Sequence, residues 1–186
     1  MKVITEEIQD SLKLKEFIEF CNYHFAGSYN LGGSLCEYFY IKDFRLNRVN
    51  DYDIVIDNKK FSIEYLLKLP EVTECRYQGD LFYIGEKKGY QKVYKSNLTL
   101  GKHNYTIDWI FGHTTRLIHE VINVEYQGVK SKLTSKDLRI GILKNIATID
   151  QDKSFQNKAK LRLSSYIGKT ILWINPIYKK RKINIL

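Results

Sequence analysis

The stretch "RVNDYDIVID", residues 48–57, carries Asp51, Asp53 and Asp57 in an otherwise apolar run. In an extended chain, side chains two apart point the same way. Asp51, Asp53, Val55 and Asp57 therefore share one face, and Tyr52, Ile54 and Ile56 line the other. Two carboxylates roughly 6–7 Å apart along a strand suit a divalent metal. The same alternation also describes a half-exposed edge strand with a solvated acidic face. A third aspartate, Asp108 in "NYTIDWIFG", is the sole charge of an apolar strand. A buried carboxylate is costly unless it meets a metal or a Lys or Arg partner. Should the two strands pair, Asp108 would approach Asp51 and Asp53 and the three would bracket two magnesium ions. Metals about 4 Å apart activate an attacking oxygen and stabilise a leaving phosphate.

Such carboxylates need elements to hold them. Residues 6–25 read as an amphipathic helix with Leu14, Phe17, Ile18, Cys21 and Phe25 at helical spacing. In "YNLGGSLCEYF", Gly32 and Gly33 permit close backbone approach, and Ser34 starts a helix whose free N–H groups favour phosphate oxygens. Residues 52–57 form a strand and 61–69 a helix that stops at Pro70. From there to about residue 112 the chain reads as β, rich in Tyr, Val, Thr and Phe between glycine turns. "VINVEYQGVKS" predicts a strand turning at Gln127-Gly128, and Thr134 is the expected N-cap of the next helix, with Asp137 three residues on. A last helix spans about 154–169, with Phe155, Ala159, Leu163 and Tyr166 as its apolar stripe. This order predicts an α/β (α+β) chain: a mixed-sheet core over 1–130 and a basic helical extension over 131–186, or one continuous domain.

The order "LGGS" (31–34), "DYDI" (51–54) and "IDW" (107–109) resembles the DNA-polymerase-β-like nucleotidyltransferase superfamily. The likeness covers about residues 14–112, and "GGS…R-x-N-D-Y-D" looks like the arrangement of small bacterial and phage-encoded members. The longer spacing between Ser34 and Asp51 and a second candidate turn, "AGS" at 26–28, depart from compact members. The resemblance implies a mixed-sheet nucleotidyltransferase core that moves NMP from an NTP to a hydroxyl, with release of pyrophosphate. It implies that Gly32, Gly33 and Ser34, with Arg48, hold the NTP phosphates. It further implies that Asp51, Asp53 and Asp108 bind two Mg2+ (or Mn2+) ions, and that Asp108 assists deprotonation of the attacking hydroxyl.

The acceptor follows from charge. The 186 residues carry 30 Lys+Arg against 21 Asp+Glu, a net +9, which favours a polyanion such as nucleic acid. The surplus clusters in "KSFQNKAKLR" and "YKKRKINIL", so RNA, such as a tRNA 3′ end, is the expected acceptor. Lys158, Arg162 and Lys169, with Lys179, Lys180, Arg181 and Lys182, are expected to be exposed and to track its backbone. A protein or small-molecule acceptor, a metal-dependent nuclease and a non-catalytic nucleic-acid-binding module are the alternatives. The nuclease pattern D…[DE]-x-K is broken at Asp108, where Ile110 takes the lysine position. No apolar run approaches a membrane span and the N-terminus lacks a signal-peptide core, so a cytoplasmic protein is expected. Cys21, Cys36 and Cys75 lack metal spacing and read as reduced structural thiols; His24, His103, His113 and His119 show no ligand spacing.

Overall fold

In the computed structural model, the residues described are 2–80, 91–112, 118–150 and 152–167. Helix α1 (Lys2–Phe25) leads to β1 (Tyr29–Leu31), α2 (Gly33–Tyr40) and β2 (Tyr52–Asp57). A short α3 (Ile63–Leu66) precedes β3 (Val72–Asp80), β4 (Gln91–Leu100) and β5 (His103–Gly112). The hairpin β6 (Val121–Tyr126) and β7 (Val129–Thr134) is followed by α4 (Lys136–Ile149) and α5 (Lys153–Ile167). The strands form one seven-stranded mixed sheet in the order β3-β4-β5-β2-β1-β7-β6. The β2–β5 and β1–β7 pairs are parallel, and the others are antiparallel. This is the mixed α/β architecture, with helices at its C-terminal end, that the chain predicts.

The strand "YDIVID" is thus the central strand of the sheet and not an edge strand. Its alternation is used on both faces. Tyr52, Ile54 and Ile56 join Ile107, Trp109 and Phe111 of β5 in the main core, against Leu14, Phe17, Ile18, Cys21 and Phe25 of α1. Phe17 meets Tyr52 edge-on at 4.8 Å, and Phe25 lies 5.8 Å from Trp109. Full burial of such side chains contributes about 1.5–3 kcal/mol each, enough to set which face of β2 turns inward. On the opposite face Val55 and Ile110 pack with Leu138 of α4. The carboxylate-bearing face is therefore roofed by the helical tail. Leu143 of α4 in turn packs with Ala159 and Leu163 of α5.

Local signals explain the turns. Gln127 and Gly128 both take positive φ (49° and 79°) between Tyr126 and Val129, the two-residue hairpin expected there. Gly101 (φ 50°) and Lys102 join β4 to β5 as a second two-residue hairpin, here with only the glycine at positive φ. Two boundaries differ from expectation. The helix expected over 61–69 is only the single turn of α3. The N-cap of α4 is Ser135, whose Oγ accepts from the Leu138 N–H at 3.3 Å, and not Thr134. Thr134 is the last residue of β7, where its hydroxyl donates to the Leu31 carbonyl and accepts from Asn30 Nδ2. Thr134 therefore ends the strand one residue too early to cap a helix that begins at Lys136. With β7 running to Thr134, the sheet extends past residue 130 before the helical tail begins. All three cysteines are free thiols, Cys21 and Cys36 buried. Among the described residues no helix is long and apolar enough to cross a membrane.

Candidate active site

Parallel pairing of β2 with β5 sets Asp53 directly beside Asp108, and antiparallel pairing of β4 with β5 sets Lys95 on the other side of Asp108. The row Asp53–Asp108–Lys95 faces the helical tail, above a second row made by Val55, Ile110 and Val93. Asp51, just before β2, completes the group. The Lys95 ammonium lies 3.3 Å from Asp51 Oδ2 and 3.2 Å from Asp108 Oδ1. Burial lowers the Lys95 pKa, but the two carboxylates outweigh it and the net shift is upward. Burial raises the Asp108 carboxyl despite Lys95.

Asp53 lacks that ammonium. Burial first, then the Asp51 and Asp108 charges, push its carboxyl up to about 7, while Arg139 and Arg162 pull it down. The turn before α2 is built around this group. Gly32 N–H donates to the Asp53 carbonyl at 2.8 Å. At Gly33, φ is +50° and a Cβ would overlap the Asp53 carboxylate, so both backbone angle and space demand glycine. Ser34 is buried in the first turn of α2. The two glycines thus let the start of a helix lie against the carboxylate row, as close phosphate approach would require.

The turn, the carboxylates and the helices α4 and α5 enclose a cleft of about 400 Å3. Ile142, Ile146 and Phe155 form its apolar roof, and Arg139, Lys158 and Arg162 bring positive charge to it. Behind the turn lies an ion cluster that sequence reasoning missed. Glu37 of α2 is 0% exposed, and both its oxygens accept from Arg139 of α4, Nε to Oε1 at 2.8 Å and Nη2 to Oε2 at 3.1 Å. Tyr166 of α5 donates to Oε1 at 3.3 Å, and Arg162 Nη1 stands 3.6 Å from Oε2. A signal for it existed: Glu37 is the lone charge of "SLCEYFY", as Asp108 is of its strand.

Among solved structures, an antigenic nucleotidyltransferase-like protein from Paracoccidioides brasiliensis matches this chain with a TM-score of 0.51. The match covers 87% of this chain and 75% of that one, at 14% identity. The fold is nucleotidyltransferase-like. At this identity the likeness establishes the fold alone. JHP933 from Helicobacter pylori aligns over 80% of this chain and 59% of its own, at 10% identity and a TM-score of 0.42, too low to bear on the fold. No protein-family model and no curated protein matches the chain.

Within this nucleotidyltransferase-like fold, Gly32, Gly33, Ser34, Asp51, Asp53 and Asp108 all line the one cleft. Arg48 does not. It is exposed at the end of the turn Leu46–Arg48, outside the cleft lining. Lys158 is exposed as expected, at the cleft. Arg162, expected to be free in solvent, has a side chain only 19% exposed and turned toward Glu37 and the cleft. The helix period places it off the apolar stripe, but α4 and α2 close over that side. Lys169, Lys179, Lys180, Arg181, Lys182 and His113 lie outside the described residues. Among the described residues no three His, Cys, Asp or Glu side chains are gathered as ligands of one ion. Asp51 and Asp108 converge on Lys95 instead.

Proposed function

We propose that the protein is a metal-dependent nucleotidyltransferase that moves NMP from an NTP to a hydroxyl acceptor. The acceptor oxygen would bond to the α-phosphorus as the bond to the β-phosphate bridging oxygen breaks and pyrophosphate leaves. One observation carries the reading: Asp53 and Asp108, side by side on parallel strands, face the same cleft as the glycine turn that opens α2. Asp51, Asp53 and Asp108 would hold Mg2+ or Mn2+. Their hard oxygen donors suit such ions, and Asp53 and Asp108 stand side by side facing the cleft. When bound, the metal neutralises triphosphate charge and activates the attacking oxygen. Gly33 and Ser34 would cradle phosphates with backbone N–H groups, while the Gly32 N–H, held by the Asp53 carbonyl, fixes the turn; the apolar roof would take the nucleobase.

Arg162 belongs with the phosphates on this reading. Glu37 is already held by two Arg139 bonds, which leaves Arg162 as its weakest partner and the one that also lines the cleft. Arg162→Gln is expected to weaken NTP binding about 10-fold or more, as loss of a charged hydrogen bond does. Titration calorimetry checks this, and fold and RNA affinity should be retained. Lys158→Glu is expected instead to spare NTP binding and flatten the salt slope of RNA affinity by about 1.

The deciding assay is pyrophosphate release from each NTP with RNA present. Asp108→Asn should lower turnover at least ~10²-fold with nearly unchanged nucleotide affinity, since the amide retains size but neither charge nor basicity. NTP-dependent labelling of a protein or small molecule would keep the chemistry and replace RNA, which the net charge of +9 favours. A second reading draws on Lys95, which stands beside Asp108 across the strands and supplies in space the lysine that Ile110 denies in sequence. Cleavage of RNA or DNA without pyrophosphate release would establish that nuclease.

A further inference from the structure

Two of the three carboxylates already share a cation that the chain itself provides. Lys95 Nζ lies within 3.3 Å of Asp51 and 3.2 Å of Asp108. The sheet dictates this placement. The two-residue turn Gly101–Lys102 sets the β4–β5 register so that Lys95 opposes Asp108, and β2 brings Asp53 to the far side of Asp108. A divalent ion seated between the same Asp51 and Asp108 oxygens would meet the ammonium at contact distance and be repelled by it.

Building on the carboxylates as divalent-ion ligands, we propose that Lys95 is the resident cation between Asp51 and Asp108, so that the nucleotide-free site takes up one divalent ion and not a pair. One monovalent and one divalent cation then face three aspartates. The ammonium costs the protein no ion to recruit, and it stays in place between turnovers. Asp53, which has no such partner, is the carboxylate that the incoming ion serves.

Mn2+ titration of the full chain without nucleotide, read as loss of the free-ion EPR signal, tests this. The expected result is one ion on the wild type, two on Lys95→Met and one on Lys95→Arg, which keeps the charge. The Lys95 side chain is 39% exposed, so these variants should fold; thermal melting verifies it, and Lys95→Gln replaces Lys95→Met if that variant does not. Two ions on the wild type, an unchanged count on the neutral variant, or two on Lys95→Arg would overturn the role of Lys95 and leave the metal reading standing. No ion on any of them would overturn the metal reading and this inference together.

Discussion

Glu37→Ala is expected to destabilise the protein by about 3–5 kcal/mol, the usual cost of stripping one partner from a buried ion pair. Arg139 would stay buried with no carboxylate to receive its two bonds, and Tyr166 and Arg162 would lose their shared acceptor. For a chain of this size that corresponds to a fall in Tm of roughly 6–20 °C. Thermal denaturation gives the total, and hydrogen exchange should locate the loosening in α4 and α5. A paired replacement, Glu37→Leu with Arg139→Met, should recover much of the loss, because an apolar pair removes both buried charges together. A Glu37→Ala protein that melts with the wild type would show that the cluster does not hold the helices to α2.

On the proposed nucleotidyltransferase reading, Asp53→Asn is expected to reduce NMP transfer at least ~10³-fold, about 4 kcal/mol of transition-state stabilisation, while making the metal-free protein more stable. Asp53 titrates near 3.8 in the ordinary state and about 7 in the folded one. Between those values the folded state holds the extra proton, so this group's contribution is full below pH 4, falls as pH rises, and is lost above 7. Asparagine carries no such dependence. At pH 8, without metal, the variant should be more stable by about 2–4 kcal/mol, or roughly 4–16 °C in Tm. At pH 4 the two proteins should differ little. Melting curves across that range, with chelator present, decide it; parallel pH profiles would mean that Asp53 is not held above its ordinary range. Added Mn2+ should raise the wild-type Tm at pH 8 and leave the variant unmoved.

Much of this site is legible in the sequence. The period of two in "YDIVID" and the lone charge of "TIDWIF" singled out Asp53 and Asp108, because a strand sorts its side chains by parity whatever lies beside it. The break at "LGGS" located the start of α2, where Gly33 alone tolerates both the positive φ and the nearness of Asp53. The helical spacing places Arg162 in solvent for a physical reason. Helical periodicity tells which residues share a stripe, but not which neighbours cover the remaining sides, and here Glu37 does.

The sequence by itself determined the long helices, the strand faces and the turn at Gln127-Gly128, since these depend on contacts a few residues apart. Even the opposition of Lys95 to Asp108 follows from the turn at Gly101–Lys102. Only the tertiary structure decided that β2 is central, that β5 lies parallel beside it, and that Lys95 therefore reaches Asp51 as well. It alone joined Glu37 to Arg139, far along the chain, and so drew the basic helices over the carboxylates. Such partners are chosen by which faces can bury their apolar area together, a property of the assembled sheet and helices that no local pattern encodes.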